Sequence, residues 1–133
     1  MSSALCYNAA MRIARDEFER LVAEALEGLP YDFREKLENV EVVVEDHPTA
    51  EHYGERELPR GMVLLGLYHG VPLTRRSAWG SPLFPARITI FQGSVERVAR
   101  TPAEIIEQVR RTVLHEIAHH FGIPDGRLRE LGY

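Results

Sequence analysis

The sequence predicts an α+β domain of two layers, with a small mixed sheet of three or four strands packed on two main helices. Three observations carry this. An apolar stripe at helical spacing lies near the N-terminus, β-branched runs follow it, and a long, well-capped helix comes last. Residues 12–27 place Ile13, Phe18, Leu21, Val22, Ala25 and Leu26 on one helical face, and Gly28-Leu29-Pro30 stops the helix. Asp32–Leu37 adds a short helical turn. Val40–Glu45 is rich in valine and bounded by Asn39 and by Asp46-His47-Pro48, which reads as a strand. Residues 49–61 are charged and contain Gly and Pro, and so read as a loop. Met62–Tyr68 is a second strand, closed by His69-Gly70-Val71-Pro72. Leu73–Ser77 reads as a further short strand or a turn, and residues 77–86 as a loop. Arg87–Phe91 is the last strand, followed by about ten residues of loop.

The long helix is specified at both ends. Thr101 suits the N-cap, Pro102 the first helical position, and Glu104 completes a capping box with Thr101. Ile105, Ile106, Val109, Val113, Leu114, Ile117 and Ala118 cover more than half of its circumference. Gln108, Arg111, Thr112, His115 and His119 leave one polar strip, as a central helix beside a cleft requires. Arg110 and His120 fall on the apolar side. The sequence accounts for Arg110 only by a snorkelling stem, and His120 is expected to be a hydrogen-bonded core histidine. A short helical piece spans residues 126–131.

Near the end of this helix stands His115-Glu116-Ile117-Ala118-His119, with Gly122 and Asp125 beyond it. Residues four apart share a helical face, so both imidazoles can reach one ion. Glu116 is rotated by roughly 100° from His115 and can reach a metal-bound water without ligating the metal. Gly122 can take the left-handed conformation that ends a helix, swinging the Asp125 carboxylate under the ion as third ligand. Two neutral nitrogens, a carboxylate, an open position and a nearby base are what zinc-assisted hydrolysis needs. The expected site is therefore His115, His119 and Asp125 on zinc, with Glu116 as general base.

At 133 residues the chain fits a single domain, 1–133, and its formal charge of −4 offers no global field for nucleic acid. Lys36 is the only lysine, and arginine carries the rest of the positive charge. Cys6 is the only cysteine, so no internal disulfide is possible, and the residue is expected to be inert. No stretch reads as a secretion signal or a membrane span, so a monomeric cytoplasmic protein with no membrane partner is expected.

The run His115–Asp125 places the chain among the zincins. Together with Leu65–Leu73 and Thr112–Gly122, it resembles the small bacterial zincin-like metallopeptidases called minimal zincins. The resemblance covers most of the chain, from the first helix onward. It implies a compact minimal zincin with the metal motif on the C-terminal long helix, zinc on His115, His119 and Asp125, and peptide-bond hydrolysis based on Glu116. Endopeptidase action on an extended or unfolded polypeptide is expected. In such enzymes the strand bordering the cleft is an edge that pairs with substrate, and Arg87–Phe91 is expected to be that edge beside His115 and His119.

Two rival readings stand beside this one. A metal-dependent endoribonuclease carries a similar histidine triad, but Glu116 directly after the first histidine favours a peptidase, although Arg75, Arg76, Arg97, Arg100, Arg110 and Arg111 are available for a basic patch. A weak or inactive metal-binding or interaction module is the other, because so small a chain lacks a subdomain for the far wall of a cleft. Tyr68 is expected to be an interface aromatic, and His47, His52 and His69 solvated surface residues. Trp79 is expected to pin its loop to the core, and Arg75 and Arg76 to be a solvated pair.

Overall fold

The computed structural model describes residues 12–53, 63–70 and 86–133. Cys6, Arg75, Arg76, Trp79 and the segment Leu73–Ser77 lie outside them. Helices α1 (Arg15–Glu27) and α2 (Tyr31–Leu37) precede strand β1 (Val40–Glu45). Helical turn α3 (Ala50–Tyr53), strands β2 (Gly66–Gly70) and β3 (Ala86–Phe91), and helices α4 (Gln92–Val98), α5 (Pro102–Phe121) and α6 (Asp125–Glu130) follow. The strands form a mixed sheet in the order β1-β3-β2, and the chain is α+β. No helix among the described residues is long and apolar enough to cross a membrane.

β3 is the middle strand, which corrects the expectation that Arg87–Phe91 forms an edge. It runs parallel to β1 with Ile88 opposite Val42, and antiparallel to β2 with Ile88 opposite Tyr68. Burial shows why it sits there. Ile88 and Ile90 are fully buried against the helices, while Thr89 and Phe91, pointing the other way, are equally buried. A strand shielded on both faces belongs inside a sheet. Both of its edges are paired, so it offers no free backbone to a substrate.

The helical layer covers one face. Phe18, Val22 and Ala25 of α1 and Ile105, Val109, Val113, Leu114 and Ile117 of α5 join Ile88 and Ile90 in one core. The opposite face carries a smaller cluster of Leu64, Leu67 and Phe91, with Tyr53 against it. The ring of His52 packs 4.9 Å from that of Phe91, so this histidine is not merely solvated. Its Nδ1 also accepts the Thr49 main-chain N–H at 3.0 Å.

Other local expectations shift in instructive ways. β2 starts four residues after Met62, and it extends over His69 and Gly70. The expected loop after β3 is instead α4, whose own residues are poor helix formers at its start. Tertiary contacts hold it: Val95 is fully buried, Gln92 bonds Arg15 and the Ile13 carbonyl, and Glu96 accepts the Ile13 N–H. At the start of α5, Thr101 Oγ1 accepts the Glu104 N–H at 3.1 Å, while Glu104 reaches back to the N–H of Arg100 rather than of Thr101. Arg110 also finds its reason. Its Nε donates to the Ala25 carbonyl at 3.4 Å, closing the C-terminal end of α1, and its guanidinium fills the space that a side chain at Gly28 would need.

Candidate active site

α5 holds the motif at the end of its exposed strip. Ile117 and Ala118 turn inward and are buried, while His115 and His119 face out, one turn apart on the same side of the helix. Gly122 ends the helix at φ 70°, ψ 27°, the left-handed conformation expected of it. The N–H groups of both Gly122 and Ile123 bond the carbonyl of Ala118 there. Pro124 then turns the chain, and exposed Asp125 opens α6, which packs back on α5.

The structure thus pairs His115 with His119 and folds Asp125 back beyond the left-handed turn. It does not draw the three together: among the described residues, no group of three His, Cys, Asp or Glu side chains converges closely enough to hold a metal ion. The donor chemistry still suits zinc, with two imidazoles at helical spacing on an open surface and a carboxylate past the turn.

Glu116 is half-buried, and its Oε1 accepts the main-chain N–H of Tyr68 at 2.7 Å. The register explains why that N–H is free to donate. Phe91 N–H bonds the Leu65 carbonyl at 3.0 Å, so Leu65 and Leu67 turn their backbone groups toward β3. By strand alternation Gly66, Tyr68 and Gly70 turn theirs outward. Among the described residues no strand lies beyond β2. The Tyr68 ring, on the helical side of the sheet, stacks on His120 with centroids 4.2 Å apart and meets Phe121 edge-on at 5.8 Å. His120 in turn stands edge-on to His119, with centroids 4.9 Å apart. His120 is therefore an exposed residue at the strand's border rather than a core histidine, because the last turn of α5 runs past the sheet.

Sequence reasoning marked Tyr68 as an interface aromatic and missed its main-chain N–H beside the motif, since a backbone donor leaves no mark in residue identity. Gly66 was the available signal. A methyl there would stand 2.7 Å from Thr112 Cγ2, so the glycine lets β2 approach α5 closely enough for the Glu116 contact. Thr112, Glu116 and His120, four residues apart, are the rail along which β2 lies. His69, next in β2, points to the opposite face. Its imidazole pKa is lowered, first by burial and then by the nearby charges of Arg87 and His52, against an opposing pull from Glu45. A pocket of about 410 Å³ between α1 and β1, lined by Glu19, Val22, Leu26 and Val42 among others, includes none of the motif residues.

The family model for zincin-like metallopeptidases matches residues 37–133, which contain the whole sheet, α5 and the motif. A solved structure of a conserved hypothetical protein from T. thermophilus is similar at 30% identity, with a TM-score of 0.51. The match covers 86% of this chain and 99% of that one. No curated protein matches.

Proposed function

Because the chain belongs to the zincin-like metallopeptidase family, we propose that it hydrolyses peptide bonds with His115, His119 and Asp125 as zinc ligands and Glu116 as general base. The observation that carries this reading is the place of Glu116: one residue after the first histidine of the pair, its carboxylate lies at the outward backbone of strand β2. Bound zinc would supply a Lewis acid for the scissile carbonyl and a more acidic water. Everything else falls to the chain. The Glu116 carboxylate is the base that accepts the proton of the attacking water. The same carboxylate then returns that proton to the leaving amine. The outward groups of Gly66, Tyr68 and Gly70 receive an extended polypeptide by strand addition, the role first assigned to Arg87–Phe91. Such pairing runs along the main chain on both sides of the cleaved bond, which favours an endopeptidase.

The experiment is direct. Zinc-loaded protein is incubated with unfolded polypeptides and, in parallel, with structured RNA. Cleavage of polypeptide alone is expected. Glu116→Gln should bind zinc by calorimetry as wild type does and yet not cleave. Cleavage of RNA instead, or a Glu116→Gln variant as fast as wild type, refutes the assignment.

A further inference from the structure

The Tyr68 N–H has two claimants. It is the middle outward donor of β2, flanked by Gly66 and Gly70, and in this structure it is taken by Glu116 Oε1 at 2.7 Å. An extended polypeptide adding to β2 needs a main-chain donor there for one of its carbonyls, because outward groups recur every second residue along a strand. One N–H cannot serve a carboxylate and a substrate carbonyl at full strength. We propose that the protein masks its own substrate edge: Glu116 and the incoming strand compete for Tyr68 N–H, and docking of the substrate main chain is what releases the Glu116 carboxylate. This rests on the strand-addition reading of the proposed function.

The surroundings favour exchange of that one contact over a rearrangement of the strand. The Tyr68 ring is held on His120 and Phe121 by contacts that do not involve Glu116, and Gly66 lies against Thr112. β2 is thus held to α5 at three points, of which only the carboxylate contact sits on the edge itself. The carboxylate is half-buried, so it can rotate off the N–H toward solvent without leaving an ion shut in the core. The consequence for the site is an ordered sequence. With no polypeptide present, Glu116 is held at the strand; once a polypeptide pairs with β2, both of its oxygens are free for the attacking water.

The test uses the full chain without metal, so that it reads binding and not turnover. A fluorescently labelled, reduced and carboxymethylated lactalbumin serves as the unfolded polypeptide, and its anisotropy is followed as protein is added. Removing the competitor in Glu116→Ala should tighten binding about tenfold, which corresponds to about 1.4 kcal/mol. Glu116→Gln keeps a neutral, weaker acceptor and should fall between the two. Amide exchange by NMR supplies the second readout. The Tyr68 N–H should exchange slowly in wild type and rapidly in Glu116→Ala. Affinity equal to or weaker than wild type in both variants, absence of binding in all three included, overturns the competition. So does a Tyr68 amide that exchanges equally fast with and without the carboxylate. Cleavage by the zinc-loaded wild type is scored separately. A protein that cleaves while its variants bind no tighter loses this inference and keeps the peptidase reading. Tighter binding by variants of a protein that never cleaves does the reverse.

Discussion

Adding one methyl group at Gly66 tests the close approach on which the site depends. An alanine Cβ there would meet Thr112 Cγ2 at 2.7 Å, the Thr89 backbone oxygen at 3.1 Å and Ile90 Cδ1 at 3.2 Å. The isoleucine tip can give way. Thr112 cannot do so freely, because its Oγ1 donates to the Gln108 carbonyl at 2.7 Å and fixes the rotamer. The Thr89 oxygen belongs to the central strand and moves only with it. Overpacking of this kind costs about 1–3 kcal/mol. The loss of glycine's freedom in the unfolded chain offsets roughly 0.4–1 kcal/mol of that. A net loss of about 1–2 kcal/mol is expected, a fall in Tm of roughly 4–8 °C for a domain of this size. Thermal unfolding of the metal-free protein, followed by circular dichroism, measures it. Thr112→Ser keeps the hydroxyl and removes Cγ2, so the double variant should recover about half of the loss, and the double-mutant cycle isolates the coupling. A Gly66→Ala protein as stable as wild type, or a cycle with no coupling, would refute the argument that Thr112 limits the approach of β2.

Three further outcomes are expected. Thr89 Oγ1 is buried without a hydrogen-bond partner among the described residues, so Thr89→Val should stabilise the protein by about 1 kcal/mol in urea unfolding, and a loss would show that the hydroxyl is satisfied. Gly122→Ala forces a left-handed residue with a Cβ and should cost about 1 kcal/mol or more, loosening the turn that carries Asp125; zinc affinity by calorimetry should fall with it. The lowered pKa of His69 means that the unfolded chain binds the proton more readily. Its contribution is intact above the ordinary value of 6.5 and is lost as pH falls below that through the folded value. The acid-side drop in Tm should therefore be smaller in His69→Gln than in wild type.

The parts of the fold that read clearly are those whose local chemistry agrees with their tertiary role. β1 has the boundaries expected of Val40–Glu45, and Thr101, Pro102 and Gly122 mark the ends of α5 where the structure places them. The inward set from Ile105 to Ala118 is buried as the periodicity requires, except Ile106, which is half-buried at its border. What did not read is what tertiary contact decides. In Ile88-Thr89-Ile90-Phe91 the alternation suggests one buried face, but Phe91 at the strand end is buried on the other, and that makes the strand central. Gln92-Gly93-Ser94 looks like a turn and is helical because Ile13 and Arg15, far off in sequence, bond the side chains of Gln92 and of Glu96 in the next turn. At the site, the histidine pair and the helix-ending glycine were legible from spacing. The Tyr68 N–H was not, since every non-proline residue has one and only the sheet order shows which of them point outward.

The placement of β3 also sets the order in which the chain can assemble. Both outer strands precede it in sequence, and neither touches the other, so among the described residues β1 and β2 have no strand partner until residues 86–91 emerge. Pairing β1 with β3 closes a loop of some forty residues, a slow step for a parallel pair. Until then, a valine-rich segment with strong β-propensity stands without a neighbour, the kind of segment that recruits other nascent chains. Glu41 and Glu45 interrupt and close that segment with charge, a guard against such association during synthesis. When β3 arrives it carries the answer to one of them: Arg87 Nε meets Glu41 Oε2 at 3.0 Å, directly across the parallel pair. The charge that keeps the waiting strand apart from strangers becomes the one that its rightful neighbour neutralises.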